Sequence, residues 1–231
     1  MTDTEAISRV RSLLNEATAG FWSAGDLVYY IDTAMNVAIQ AGLAKLEEAR
    51  KLDMHAESDL LQPLLALSAS SALVNGTQEY ALDSDFLTTG SATYKAVTGG
   101  SLKPAIYAKH PEVARINNNS WLAYTADHPA YYIKNSKIGF YPIPTWTGSG
   151  YAHNYYKKPT ALSGSGVEIP VKVEAHDGIV LIAYHYGLLK EKMYSEADAQ
   201  FQKGIQIINP CCIFFYIFLE VFPNIFIYLF R

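Results

Sequence analysis

Apolar residues recur at helical spacing near both ends of the chain and alternate with polar residues through its middle. Ile7, Val10, Leu13 and Leu14 share one face of a first helix. Thr4 is placed to accept an orphan backbone N–H at its start, and Asn15 to Gly20 should end it. Leu27, Ile31, Ala34, Ala38 and Ala41 then follow at spacings of four and three, widened by Tyr30 and Val37. This second helix presents small residues that let a neighbouring helix come close. Ser23 and Asp26 resemble a capping box ahead of it, and Phe21-Trp22 is placed to staple its start. The charged run Lys45 to Lys51 reads as solvated helix, Pro63 sets a hard limit, and the helix is expected to end near Ala56.

From Leu64 to about Tyr156 the pattern becomes one of short strands separated by turn dipeptides. Asn75-Gly76 suits a type I′ hairpin turn that feeds a short strand ending on the acidic turn Asp83-Ser84-Asp85. Thr98-Gly99-Gly100 joins the run Ser91 to Val97 with the run Ser101 to Ile106. Further strands are expected at Tyr131 to Lys134, Ile138 to Pro142 and Tyr151 to Lys157, the first two joined at Asn135-Ser136, with an Asn-rich loop at Asn117 to Ser120. Ser163-Gly164-Ser165-Gly166 reads as a flexible joint, and Pro170 suits the first turn of a third helix. That helix is apolar nearly all round from Ile179 to Leu189, which makes it the central element. Ser195 and Asp198 repeat the earlier cap, and Phe201, Ile205 and Ile208 form the inner stripe of a fourth helix. The predicted class is α+β: a core of two N-terminal helices (1–62) and two C-terminal helices (167–209), a β-rich insertion (63–160) and a hydrophobic tail (210–231).

Half of the residues are hydrophobic, enough for a sizeable core without staples. A net charge of −4 disfavours gripping nucleic acid through clustered cations, although DNA that merely slides past is compatible with it. Cys211 and Cys212, the two cysteines, are adjacent, so they build neither a disulfide framework nor a spaced zinc site. The start of the chain is polar and acidic, so no secretory signal is expected.

Candidate chemistry is sparse. His176 and His185 are nine residues apart, on opposite sides of one helix, and a structural role is expected for both. His153 sits in a Tyr-rich strand, while His110 and His128 each precede a proline. The Ser163 to Gly166 run has the look of a phosphate cradle but lacks the preceding apolar strand and the lysine. Asp83 and Asp85 are better explained as turn residues than as a pair of hydrolytic acids. Tyr131-Tyr132, Tyr151, Tyr155-Tyr156 and Trp146 either stack on sugars or bases or pack the sheet and a subunit contact. No enzyme activity, cofactor or metal is expected.

Three sets of residues carry a family likeness: Phe21-Trp22-Ser23 with Asp26-Leu27, the run from Gly76-Thr77 through Tyr80 and Leu82 to Ser84-Asp85-Phe86, and Ile138-Gly139-Phe140-Tyr141-Pro142. Together with Ile169-Pro170 and Glu174-Ala175-His176-Asp177, they resemble the head-to-tail adaptor, or connector, proteins of tailed bacteriophages over roughly Ser8 to Gln206. The chain departs from that pattern at Asp83, where proline is frequent, and in a longer Met54 to Leu73 segment. The resemblance implies a structural virion protein of the neck, assembled in the host cytoplasm. It would form a closed, dodecameric homo-oligomeric ring on the portal protein, meeting tail or neck proteins, with double-stranded DNA passing through its lumen without specific binding. The competing expectation is a β-lobed carbohydrate-binding or receptor-contacting virion module.

Pro210 to Arg231 carries six of the ten phenylalanines. Glu220 and Pro223-Asn224 interrupt its apolar run, which disfavours a membrane anchor. A docking arm directed at the portal, pairing as an added strand, and a read-through or frameshifted extension rich in residues of AT-rich codons both account for it. The contact residues expected for docking are Ile205, Ile208, Pro210, Phe214 and Phe218.

Overall fold

In a computed structural model of the protein, described for residues 1–16, 20–51, 56–68, 71–109, 123–211 and 214–216, a helical unit and a β unit separate along the chain. Residues Met1–Pro63 and Thr160–Arg231 make up the first unit, and Leu64–Pro159 the second. The described residues thus form an α+β fold in which two N-terminal and two C-terminal helices bracket a sheet insertion. The Asn117 to Ser120 loop, His110 and Phe218 lie outside the described residues.

Helix α1 spans Asp3–Leu13. Its cap is Thr2 rather than the expected Thr4: the Glu5 N–H donates to Thr2 Oγ1 at 3.3 Å, and the Thr2 N–H returns to the Glu5 carboxylate at 2.9 Å. Thr4 instead lies within the first turn, since the reciprocal pair needs an acid three residues beyond the cap. Asn15, at φ 59°, ends the helix, with the Glu16 N–H closing on the Arg11 carbonyl at 2.9 Å and the Asn15 N–H on Ser12.

Helix α2 spans Ala24–Lys51. The Ser23/Asp26 cap forms as expected: the Asp26 N–H donates to Ser23 Oγ at 3.0 Å and the Ser23 N–H to the Asp26 carboxylate at 3.1 Å. Leu27, Ile31, Ala34 and Ala38 are fully buried, whereas Ala41 is half-buried. Lys51 is the last described helical residue, and Ala56, near which the helix was expected to end, belongs to a three-residue strand, β1 (Ala56–Ser58).

The β unit holds an eight-stranded sheet: β2 (Leu65–Leu67), β3 (Ser71–Leu73), β4 (Glu79–Ala81), β5 (Phe86–Tyr94), β6 (Lys103–Tyr107), β7 (Ala130–Lys134), β8 (Lys137–Tyr141) and β9 (Gly148–Lys157). The order is β2-β9-β5-β6-β7-β8-β4, with β3 sharing the free edge of β9 beside β2. All pairs are antiparallel except β6 with β7. Asn75-Gly76 does not make the expected type I′ hairpin. Its φ is positive only at Gly76, the Thr77 N–H bonds the Val74 carbonyl, and the flanking strands β3 and β4 pair with β9 and β8 instead of each other. The doubly left-handed turn occurs at Asn135 and Ser136 (φ 47° and 57°), between β7 and β8.

Aromatic packing fills this unit. Tyr94 stacks on Phe140 with centroids 4.6 Å apart, and its hydroxyl donates to the Pro142 carbonyl at 2.7 Å. Glycines make room for the rings: a Cβ on Gly150 would stand 2.3 Å from Leu73 Cδ1 and 2.6 Å from Trp146 Cζ2.

Helix α3 spans His176–Lys190 and packs on α1, on α2 and on α4 (Tyr194–Cys211), so it is central as expected. Pro170 is not in its first turn. The segment ahead of α3 stays extended, because the Ile169 N–H is bonded to the Met1 carbonyl and Thr2 bridges Glu168; one 3₁₀ turn (Val173–Ala175) then leads into α3. Lys192, at φ 63°, turns the chain from α3 into α4 with N–H bonds from Lys192 and Met193 back to Leu189 and Leu188. Ser195 and Asp198 therefore fall inside the first turn of α4 rather than capping it, and Met193 supplies the carbonyl that accepts the Ala197 N–H. The α3–α4 crossing is tight, since a Cβ on Gly204 would lie 2.6 Å from Ile182 Cγ1 and 2.8 Å from the Gly178 carbonyl oxygen.

Candidate functional site

The residues with the greatest catalytic promise are each spent on packing. His176 and His185 are buried and bond different backbone carbonyls, those of Val171 at 3.0 Å and Ala197 at 2.9 Å. His153 is 1% exposed in the β unit, where its Nε2 lies 2.8 Å from Thr89 Oγ1, and the same Thr89 hydroxyl donates to the Tyr131 hydroxyl at 3.2 Å. Burial without a charged partner pushes the His153 imidazole down to about 4, so it stays neutral. His128 is exposed in a turn. Among the described residues no group of three or more His, Cys, Asp or Glu side chains could hold a metal ion.

Ser163-Gly164-Ser165-Gly166 is a backbone cradle rather than a flexible joint, and a carboxylate from 160 residues upstream fills it. Asp3 is fully buried and accepts the N–H groups of Gly164 at 2.7 Å, Gly166 at 2.8 Å and Ser163 at 3.2 Å. Left-handed φ at Gly164 (75°) and Gly166 (91°) turns these N–H groups inward. Burial opposes ionisation of Asp3, but the bonds from Gly166, Gly164, Ser163 and Thr4 outweigh it and hold the carboxyl below its usual 3.8. The Asp3 N–H also donates to the Val167 carbonyl at 2.8 Å, so the first residues of the chain are tied to the strap that returns from the β unit.

The tyrosines resolve the same way. Tyr131, Tyr132, Tyr151, Tyr155 and Tyr156 are all buried, and Trp146 is half-buried with its Nε1–H on the Lys95 carbonyl. These rings form the interior of the β unit, not a stacking platform.

Of the expected contact residues, three lie in the last turns of α4. Ile205 is half-buried, Ile208 is fully buried and packs beside Gly178 within the protomer, and Pro210 is exposed in the last helical turn. Phe214 lies in β10 (Phe214–Tyr216), which pairs antiparallel with β1 through Ser58↔Phe214 and Ala56↔Tyr216. Beside this pair, Lys172 makes an ion pair with Asp59, and that bond raises the lysine's affinity for its proton.

Two helices precede the sheet and two follow it, and no convergent catalytic cluster occurs among the described residues. The model of the SU10 adaptor protein family matches residues 1–208. The chain belongs to this family of bacteriophage head-to-tail adaptors. It is a family of structural proteins and not a class of enzymes. The SU10 adaptor match takes in all four helices up to the last turn of α4 and the whole β unit, and it stops at Ile208, ahead of Pro210 and β10. No curated protein matches the chain. Among the described residues no helix is long and apolar enough to cross a membrane.

Proposed function

We propose that this adaptor is a structural component of the virion neck that assembles, in the host cytoplasm, into a closed ring of twelve copies seated on the portal protein. The ring extends the DNA channel and offers a platform to tail or neck proteins. Membership of the SU10 adaptor family is the observation that carries this reading.

The physical chemistry supports it. A ring requires a stiff wedge, and the helical core of residues 1–62 and 167–209 is tied by the Asp3 cradle, two left-handed helix ends and the Gly178/Gly204 crossing. The β-rich insertion, residues 63–160, has a core of its own, which frees its outer face for contacts with other copies. The net charge of −4 lets duplex DNA pass without being held.

In this reading residues 210–231 act as an arm toward the portal, with Ile205, Pro210, Phe214 and Phe218 contributing contacts and Ile208, buried beside Gly178, bracing the end of α4. The test is a pull-down on isolated portal with the full chain and with a chain truncated after Asn209. Retention of the full chain and at least a tenfold loss for the truncated one are expected. Equal retention of both would remove the arm, and retention of neither would remove portal docking.

A further inference from the structure

Three turns meet at one end of the β unit. The Gly76 N–H donates to the Pro144 carbonyl at 2.9 Å, the Asn75 N–H to Thr147 Oγ1 at 3.1 Å and the Thr145 N–H to the Ala96 carbonyl at 3.2 Å, which fastens the 74–77 turn, the 142–147 connection and the end of β5 together. The Thr98-Gly99-Gly100 turn closes the same end, with the Gly100 N–H on the Val97 carbonyl. This tip lies opposite the end of the sheet where Leu65 pairs with Tyr156 and Phe86 with Lys157.

The tip presents Val74, Val97, Leu102 and Ile143 at 49, 41, 53 and 42% exposure. Lone exposed aliphatic residues are ordinary; four of them gathered on the turns at one end of the β unit leave apolar surface there that water solvates poorly. Lys95, 4.6 Å over the Trp146 ring, and Lys103 give its border a positive character, with Asp127 3.9 Å from Lys103.

The helical unit carries a concavity of its own. A groove of about 350 Å3 between α1 and α3 is lined by Arg9, Ser12, Leu13, Asp177, Val180 and Leu181. Leu13, expected on the apolar face of α1, is 42% exposed here, and the Arg9–Asp177 pair at 2.6 Å lies at the solvent-exposed rim. Charge divides in the same sense. Leu64–Pro159 has eight Lys and Arg residues against five Asp and Glu, net +3, while the rest of the chain has ten against seventeen, net −7. Unlike units of two copies therefore attract and like units repel. A knob and a socket on different parts of one chain make a heterologous contact, the kind that closes into a ring.

We propose that the tip of the β unit seats in the α1–α3 groove of the next copy, with Leu102 and Val97 entering beside Leu13. This contact rests on the ring reading above. Two exposed positions test it without touching either core: Leu102→Asp in the tip and Leu13→Asp in the groove. Each variant alone should keep the wild-type circular dichroism spectrum and raise the concentration for half-assembly by about tenfold or more, as loss of one buried aliphatic contact per interface requires. Mixed together, the two variants retain one intact tip and one intact groove between them, so mass photometry should show a dimer that neither forms alone. Rings formed by both variants at the wild-type concentration, or a mixture without dimers while the wild type forms rings, would overturn the contact and leave the ring reading standing. A wild-type chain that stays monomeric at every concentration would remove the ring reading and this contact together. Rings that persist in the Leu102→Asp variant while portal or tail binding is lost would assign the tip to that other partner and refute the proposal.

Discussion

Replacing Asp3 by alanine should cost the helical unit about 3 kcal/mol, far more than its place at the start of the chain suggests. The carboxylate accepts three backbone N–H groups at 2.7, 2.8 and 3.2 Å and has no exposed surface. Hydrogen bonds to a charged acceptor contribute roughly 1.5–3 kcal/mol each. They do not add here, because Ser163 and Gly166 are exposed and water can reach those donors once the carboxylate is gone. About 3 kcal/mol therefore corresponds to losing the Gly164 bond outright and part of the other two, and it should lower Tm by roughly 6–12 °C for a chain of this size. The matching urea experiment follows helical circular dichroism at pH 7 for wild type, Asp3→Ala and Asp3→Asn. The Asn variant keeps one acceptor but turns N–H groups toward donors, so it should recover less than half of the loss. The sign with pH is fixed as well. A carboxyl held below 3.8 in the fold contributes stability that is complete above 3.8 and is lost as pH falls through its lower folded value. That acid slope should flatten in Asp3→Ala. An Asp3→Ala protein within about 0.5 kcal/mol of wild type at pH 7 would refute the cradle as a structural tie.

Other perturbations read different parts of the fold. His153, near 4 in the fold against 6.5 unfolded, leaves the β unit fully stable above pH 6.5 and weakens it as pH falls toward 4, by about 3 kcal/mol. Near-UV circular dichroism against pH, with His153→Gln losing that slope, checks this. Gly204→Ala places a methyl 2.6 Å from Ile182 Cγ1 at the α3–α4 crossing and should cost about 2 kcal/mol in urea titrations. Ala34→Arg puts an unpartnered charge into a fully buried helix face and should abolish the soluble fold; an unchanged Tm would contradict that placement.

Local chemistry was legible at several places where a signal and its partner lie within a few residues, although the Ser195/Asp198 spacing misled. The stripe from Leu27 to Ala38, the Ser23/Asp26 cap, the apolar α3 and the turns at Gly99 and Asn135-Ser136 all follow from spacing and residue type. The Thr2 cap was legible too, since Thr2 and Glu5 have the reciprocal spacing, but Thr4 two residues on competes as a start. Long-range partners were not. Asp3 and Gly164 are separated by most of the chain, and nothing in a Ser-Gly run distinguishes a solvated linker from a cradle until the anion arrives. The same holds for Asn75-Gly76, where β3 and β4 find β9 and β8 in preference to each other. The tyrosines show that composition alone does not separate a binding platform from an aromatic core, because the Gly148 and Gly150 gaps that admit Trp146 become visible only once strands are paired.

Electron microscopy of the purified chain mixed with isolated portal tests the adaptor account most directly. Annular particles of twelve subunits, stacked coaxially on the portal, are the predicted result. Compact monomers at micromolar concentration, with portal rings left bare, would contradict it.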